Sequence, residues 1–269
     1  VFQFPVIYGT MTVHDNLAFP LVCRGYDKSF IESKVNEVAE ALSLEGLLSQ
    51  SAKKLTADQK QLISLGRGLV RDNVAAVLMD EPLTVIDPDL KFRLRRKLKE
   101  INQKYKSTLI YVTHDQNEAM TFAENIIVMD DGEIVQIGSP AELFERPKTT
   151  FVGYFIGAPA MNLFDCDAVG SNAIKFGNVE ISTKTDLSAI KNKRLKLGIR
   201  SEYLQLVKSA GKNTIHANIE SVDDWGNHKL ITANFEGSNI KIKVKREVEV
   251  PTEKIYLKFP IPNLGLIFD

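Results

Sequence analysis

The chain has 269 residues, of which 44% are hydrophobic and 25% are charged. These proportions are those of a folded globular protein, and they exclude a disordered or collagen-like chain. The 34 basic and 34 acidic side chains cancel. Without the positive bias of a nucleic-acid platform, we expect no nucleic-acid partner. The longest apolar run, residues 74–79, is far shorter than the roughly 20 residues of a membrane-spanning helix.

Three further features of the sequence indicate the number of domains, the redox compartment and where the chain begins within a domain. At about 150 residues a domain, the length predicts roughly two domains. Cys23 and Cys166 are too few for a disulfide framework, which indicates a reducing compartment. The sequence begins at Val1 rather than at methionine and opens directly into an apolar segment. We therefore expect a fragment that starts inside a domain.

Apolar residues in the first half recur at helical spacing. Ser29 and Glu32 form a capping-box pattern before one predicted helix, and Thr56 and Gln59 repeat the pattern before a second. A third stripe of apolar residues, starting at Leu90, predicts another helix.

Three short apolar runs between these helices predict strands. Residues 74–79 and 108–112 are almost entirely apolar, as in strands that are buried on both faces. Residues 125–129 form a third run, which turns at Asp130-Asp131-Gly132. Strands that alternate with helices predict a layered, mainly parallel α/β domain.

Near residue 150 the pattern changes from helical to alternating. Residues 174–181 predict a hairpin around a Gly177-Asn178 turn. Apolar residues alternate with lysines from residue 240 to 245, and they recur at every second position from 255 to 259. This alternation predicts an antiparallel β domain with one solvated face. We place the α/β domain at residues 1–153 and the β domain at residues 154–269.

Two adjacent acids, Asp80 and Glu81, follow the first predicted strand. Ligands bind at the carboxyl ends of strands in open α/β sheets. An aspartate there can bind Mg²⁺, directly or through water, and the next glutamate can orient or deprotonate a water molecule. Because an isolated Asp-Glu pair is more often two exposed acids in a turn, the neighbouring motifs decide between the two interpretations.

Further motifs surround these acids in a characteristic order. They are Gln3, Leu55-Thr56-Ala57-Asp58-Gln59, Asp80-Glu81-Pro82, Leu83-Thr84-Val85-Ile86-Asp87 and Thr113-His114-Asp115. In this order they resemble the Q-loop, signature motif, Walker B strand, D-loop and switch histidine of the nucleotide-binding subunit of ATP-binding cassette (ABC) transporters. The resemblance covers residues 1 to about 153.

The remaining residues extend the resemblance to one branch of that family. Residues 155–162 and 198–202 are similar to motifs of the maltose/glycerol-3-phosphate importer branch, and residues 55–71 are most similar to an ATPase of two-ATPase glycerol importers. The resemblance implies an α/β nucleotide-binding domain of the P-loop NTPase type, lacking its N-terminal part. An all-β, OB-like (TOBE) barrel that serves as a regulatory domain would follow it.

The resemblance also implies a role for each motif residue, with ATP and Mg²⁺ as cofactors. Asp80 would bind Mg²⁺, Glu81 would be the catalytic base, and His114 would contact the γ-phosphate. Gln3 would reach the metal and the attacking water. The remaining family positions contact nucleotide or lie at the dimer interface: Leu55, Thr56, Asp58, Gln59 and Asp87.

Two departures from the family pattern stand out. The phosphate loop, G-x-x-x-x-G-K-[ST], is absent from these residues, so we expect residues 1–269 alone to bind ATP weakly or not at all. The family signature L-S-G-G-Q is replaced by Leu55-Thr56-Ala57-Asp58-Gln59. Asp58 adds a negative charge where the family places a glycine.

The resemblance therefore implies an ATPase subunit of a bacterial importer for a sugar, glycerol or glycerol phosphate. It would lie peripherally on the cytoplasmic face of the inner membrane, with a second ATPase subunit (a heterodimer), two membrane-spanning permease subunits and, indirectly, a periplasmic solute-binding protein. Two alternatives stay open. One is an importer ATPase for polyamine, iron or another solute, and the other is a non-hydrolysing regulatory or dimerisation module.

Overall fold

The computed structural model describes residues 1–105, 108–183, 186–188, 194–260 and 265–268. The chain divides into two compact units, Val1–Phe122 and Ala123–Asp269. The boundary at residue 153 rests on the family resemblance rather than on compactness, and it stays a prediction. Among the described residues, no helix combines the length and the apolar character needed to cross a membrane.

The first unit combines helices with a small parallel sheet. Its helices are α1 (Val13–Val22), α2 (Lys28–Ala41), α3 (Ala57–Leu69), α4 (Pro88–Tyr105) and α5 (Gln116–Phe122), with 3₁₀ turns at Glu45–Leu47 and Ala52–Lys54. Strand β1 (Ala76–Asp80) pairs in parallel with β2 (Thr108–Val112), and the register sets Asp80 opposite Val112. The two strands therefore end side by side.

The first residues of α2 and α3 show how the chain starts these helices. The N-cap of α2 is Asp27, whose carboxylate accepts a hydrogen bond from the Phe30 amide at 3.0 Å. The predicted Ser29–Glu32 capping box is therefore wrong, because the Asp27 carboxylate already occupies the cap and Ser29 donates to it. Thr56 is the N-cap of α3, and the predicted capping box with Gln59 is confirmed.

Strands β1 and β2 cover the apolar core with one face only. Met79 is buried, and Val77 and Leu109 pack against the helices. On the opposite face, Leu78 is 62% exposed and Ile110 is 49% exposed. The prediction that these strands are buried on both faces is wrong for the described residues, because the helices of this unit pack against one side of the sheet.

The second unit begins with a hairpin and two short helices. Strand β3 (Ile126–Asp130) pairs antiparallel with β4 (Glu133–Gly138), and α6 (Pro140–Glu145) and α7 (Thr150–Phe155) follow. The expectation of a mainly parallel sheet is wrong here. The chain reverses in a tight turn after β3, so β3 pairs with β4 in a separate sheet and does not join β1 and β2. Only β1 and β2 pair in parallel among the described strands.

Two five-stranded antiparallel sheets complete the second unit. Their orders are β12-β11-β10-β13-β9 and β14-β8-β5-β6-β7. The strands are β5 (Asn162–Val169), β6 (Ala173–Phe176), β7 (Val179–Ser182), β8 (Leu195–Ile199), β9 (Gln205–Val207), β10 (Thr214–Asp224), β11 (His228–Phe235), β12 (Ser238–Lys245), β13 (Lys254–Lys258) and β14 (Gly265–Phe268). Both sheets contribute to one apolar core. The predicted hairpin at Gly177-Asn178 and the buried apolar side of β12 are confirmed.

Candidate functional site

The main chain brings two turns together at the carboxyl ends of β1 and β2. Glu81 directly follows β1, and its amide donates to the carbonyl oxygen of Val112, the last residue of β2, at 2.9 Å. Glu81 has a left-handed backbone with φ of 41°, which is uncommon outside glycine, asparagine and aspartate. This conformation turns the chain sharply out of β1 beside the residues that follow β2.

The Glu81 carboxylate accepts hydrogen bonds from three side chains. Its Oε1 atom lies 2.6 Å from Nδ1 of His114. Its Oε2 atom accepts from the Thr84 hydroxyl at 3.0 Å and from the Gln3 side-chain nitrogen at 3.2 Å. We call Gln3, Glu81, Thr84 and His114 the Glu81 cluster. The structure thus joins three residues, Gln3, Glu81 and His114, that lie far apart in the sequence.

Each member of the Glu81–His114 pair stabilises the charged form of the other. The hydrogen bond from His114 lowers the pKa of Glu81, and the hydrogen bond to Glu81 raises the pKa of His114. The pair therefore favours a carboxylate next to an imidazolium. The His114 side chain is 73% exposed while that of Glu81 is 19% exposed, so the histidine presents a hydrogen-bonding ring to solvent.

Asp80 and Asp87, two further acids of the predicted site, lie close to Glu81 in sequence but make different contacts. Asp80 is exposed at the end of β1, and its amide donates to the Val1 carbonyl oxygen at 3.0 Å. The carboxylate of Asp87 accepts from the Asp89 amide at 3.0 Å, next to the start of α4. No set of three or more His, Cys, Asp or Glu residues within the described part of the chain is arranged to hold a metal ion.

The signature residues form a local network at the start of α3. Leu55 is buried, and the Thr56 amide donates to the side chain of Gln59 at 3.1 Å. The Thr56 hydroxyl donates a hydrogen bond to the Asp58 carboxylate. Among the described residues these bonds stay within the signature and do not reach the Glu81 cluster.

Sequence reasoning missed two residues that support the cluster. Thr84 belongs to a motif, but its bond to Glu81 depends on the turn that follows β1. Gln61 is fully buried, and its side-chain nitrogen donates to the carbonyl oxygens of Phe2 at 3.2 Å and Pro82 at 3.0 Å. It thereby ties together the segments that carry Gln3 and Glu81. The position of Gln61 next to the apolar residues of α3 was the feature of the sequence that could have predicted a buried polar side chain.

Several curated proteins are similar to this chain over most of its length. The sn-glycerol-3-phosphate import ATP-binding protein UgpC of Yersinia pestis is 36% identical over 270 residues, which cover 100% of this chain and 74% of that protein. The trehalose/maltose import ATP-binding protein MalK of Thermococcus litoralis is 38% identical over 248 residues, 88% of this chain and 66% of that protein. The oligosaccharides import ATP-binding protein MsmX of Bacillus subtilis is 35% identical over 280 residues, 100% of this chain and 76% of that protein.

A scan against protein-family models finds no match. The solved structure of cbiO1 from Clostridium perfringens, part of the ABC transporter complex cbiONQ, aligns with 54% of this chain and 58% of that chain, with a TM-score of 0.49 and 24% identity. The curated relatives decide the family, because 36% identity extends over the whole chain and over 74% of the Yersinia protein. The chain therefore belongs to the family of ATP-binding subunits, or ATPases, of ABC importers for sugars and glycerol-3-phosphate.

Proposed function

We propose that this chain is the ATP-hydrolysing subunit of an importer for a sugar, glycerol or glycerol phosphate, and that the Glu81 cluster is its hydrolytic site. The observation that carries the proposal is the convergence of His114, Gln3 and Thr84 on one carboxylate at the ends of two parallel strands. A carboxylate base beside a cationic donor is the pair that phosphoryl transfer to water requires, because the water loses a proton while the phosphate gains negative charge.

His114 and Glu81 have complementary roles in this proposal. The exposed imidazolium of His114 donates to the γ-phosphate, where negative charge develops in the transition state. When His114 turns from Glu81 to the phosphate, the carboxylate loses the partner that chiefly lowers its pKa. Glu81 then becomes a stronger base towards the attacking water. The Glu81–His114 hydrogen bond thus keeps the basicity of Glu81 low until nucleotide is bound.

The residues present suit Mg²⁺, which prefers oxygen ligands and usually binds through one or two carboxylates together with substrate phosphates. Asp80 offers an exposed carboxylate. The side-chain nitrogen of Gln3 donates to Glu81, which leaves the side-chain oxygen of Gln3 to bind a cation. Bound there, Mg²⁺ would neutralise phosphate charge.

Replacing Glu81 by glutamine in the importer reconstituted with its permease subunits tests the proposal. The substitution keeps the size of the side chain and removes the base, so ATP hydrolysis should fall at least 100-fold while nucleotide binding persists. Glu45→Gln, on an exposed 3₁₀ turn, is the matched control and should hydrolyse ATP at the wild-type rate. Undiminished hydrolysis in Glu81→Gln would remove Glu81 from this role.

We further propose that the chain works as a heterodimer. In this family each ATP site combines the Walker B acids of one subunit with the signature of the other, so Asp58 would face the nucleotide of the partner. A carboxylate about 5 Å from a phosphate costs roughly 3 kcal/mol per unit charge at an effective dielectric constant near 20. Its benefit from the helix dipole at the start of α3 is only about 0.3–1 kcal/mol. Repulsion therefore dominates when nucleotide is present.

The hydrogen bond between Thr56 and Asp58 supports the same proposal. The Thr56 hydroxyl is the group of this signature that could donate to a phosphate, and it donates to Asp58 instead. In a homodimer, both ATP sites would face a signature with the Asp58 charge and with a Thr56 hydroxyl that donates to Asp58. A partner with an intact L-S-G-G-Q motif would complete the site that contains Asp80, Glu81 and His114, and would leave one site competent.

The family resemblance also supports proposals about assembly and domain organisation. We place the chain peripherally on the cytoplasmic face of the inner membrane, bound to two permease subunits that receive solute from a periplasmic binding protein. Residues 1–153 would form the nucleotide-binding domain of the P-loop NTPase type without its N-terminal part. Residues 154–269 would form the OB-like regulatory barrel, and the two five-stranded sheets that share one core support this assignment.

A further inference from the structure

A buried carboxylate lies directly behind the His114 turn. Glu118, in the first turn of α5, is 4% exposed. Its Oε2 atom accepts from the Tyr111 hydroxyl at 2.8 Å and from the Thr113 hydroxyl at 3.2 Å. A buried charge is costly unless it is paired and hydrogen-bonded, so the contacts of Glu118 fix its position relative to the residues around it.

The other oxygen of Glu118 faces two cations on α4. Its Oε1 atom lies 3.5 Å from Nζ of Lys91 and 3.7 Å from Nη1 of Arg95. Both cations are largely covered, with side chains 22% and 20% exposed. The carboxylate is therefore held between α4 and the end of β2, and a single side chain connects these two elements.

The connection reaches the D-loop on one side and His114 on the other. The Lys91 amide donates to the carbonyl oxygen of Asp87 at 2.8 Å, so the cation that binds Glu118 belongs to the first turn after the D-loop. On the other side, Thr113 immediately precedes His114. The Thr113 hydroxyl also accepts from the Asp115 amide at 3.0 Å, so it organises the turn in which His114 lies.

We infer that Glu118 is a positioning residue: through Thr113 it holds the His114 turn in the geometry that places the imidazole on Glu81, and through Lys91 and Arg95 it fixes that turn to α4. This inference deepens the proposed function, on which the catalytic role of His114 rests. It concerns the geometry of the residues in the absence of nucleotide, so it can fail while the proposed ATPase role stands.

The test measures the pKa of the His114 imidazole by NMR titration in a chain of residues 1–269. Thr113→Val keeps the shape of the side chain and removes its hydroxyl, so His114 should leave Glu81 and its pKa should fall towards the ordinary value. Thr113→Ser retains the hydroxyl and should restore the wild-type value. Tyr111→Phe is the matched control, because it removes the other hydroxyl on the same Glu118 oxygen without touching the His114 turn.

A double-mutant cycle separates Glu118 from the local turn bond to Asp115. If Glu118 acts through Thr113, then Thr113→Val should cause no further change once Glu118→Met has removed the carboxylate. An equal effect of Thr113→Val in the presence and absence of Glu118 would overturn the inference. If Glu118→Met does not fold, Glu118→Gln, which keeps the size of the side chain and removes its charge, takes its place in the cycle, and Thr113→Val is also compared with Tyr111→Phe. Equal His114 pKa values in these two variants would overturn the inference, whatever the loss in their unfolding temperatures.

Discussion

Nδ1 of His114 lies 2.6 Å from Oε1 of Glu81, although 33 positions separate the two residues in the sequence. The main chain makes this approach possible, because the Glu81 amide also donates to the carbonyl oxygen of Val112, two residues before His114. One residue thus contributes both a backbone and a side-chain bond between the turns after β1 and β2. The first two predictions follow from this pair.

Removing the Glu81 carboxylate should lower the pKa of His114. Glu81 raises that pKa chiefly by accepting a hydrogen bond from the ring, and glutamine removes the negative charge. NMR titration of the imidazole in residues 1–269 measures the change, with Glu45→Gln as the control. An unchanged His114 pKa in Glu81→Gln would show that the pair does not form in solution.

The same pair predicts the direction of a pH effect on stability. A histidine whose pKa is raised on folding contributes stability that is fully present below its unfolded value of about 6.5, and that is lost as the pH rises through the folded value. The free energy of unfolding of the wild type should therefore exceed that of Glu81→Gln by more at about pH 5.5 than at about pH 9. Urea unfolding at both pH values checks this. A larger difference at high pH would contradict it.

Replacing Asp58 by glycine should strengthen ATP-driven closure of the partner's site in the proposed heterodimer. The change removes the repulsive charge and frees the Thr56 hydroxyl. We expect nucleotide affinity to rise at least tenfold. A tenfold lower dissociation constant corresponds to about 1.4 kcal/mol, which is about half of the repulsion between Asp58 and the phosphate. Equilibrium nucleotide binding to the complex is the measurement.

Asp58→Asn separates the effect of charge from the effect of size, because it removes the charge and keeps the size of the side chain. If charge is the cause, asparagine should recover most of the gain that glycine gives. The reciprocal change of glycine to aspartate in the partner's signature should cripple transport. A homodimer as active as the mixed complex, together with no effect of Asp58→Gly, would contradict the asymmetry.

The β region should fold without the first unit. Residues 164–259 supply one continuous apolar core, so a chain of residues 160–269 should give a folded β spectrum by circular dichroism. A chain of residues 123–269 should unfold at a higher temperature, because it retains the carbonyl oxygens of Phe144 and Gly153, to which the buried Arg200 guanidinium donates. Each kcal/mol retained corresponds to about 2–8 °C in domains of this size. An unfolded spectrum for residues 160–269 would refute the proposed boundary.

Replacing Gly66 by alanine should destabilise the first unit. A β-carbon there would lie 2.5 Å from Leu17 Cδ2 and 3.1 Å from Leu42 Cδ1, and both leucines are fully buried. Overpacking of this kind costs about 1–3 kcal/mol. Gly46→Ala is the control, since nothing lies within 4 Å of its β-carbon position. Urea unfolding measures both variants, and equal midpoints would show that α3 can move away from α1 at little cost.

Much of the local structure could be predicted from the sequence, because it depends on neighbouring residues. The capping box at Thr56 and Gln59 formed as predicted, since both partners lie within one helical turn. The Gly177-Asn178 hairpin also formed, because a two-residue turn between alternating strands sets its own register. Asp27 rather than Ser29 is the N-cap of α2, because the spacing of a capping-box pattern does not show which side chain reaches the first amides of the helix.

The sequence by itself determined the family and the order of the motifs, because these depend only on which residues occur and how far apart they lie. The tertiary structure decided which of them meet. Glu81 and His114 meet because β1 and β2 are parallel and end in register, and Gln3 joins them because Asp80 and Gln61 bind the main chain of Val1 and Phe2. No sequence spacing specifies these relationships. Gln61 and Glu118 emerged only from the fold, because Phe2, Pro82, Lys91 and Arg95 come from other segments of the chain. A buried polar group must find its hydrogen bonds wherever the packing places them.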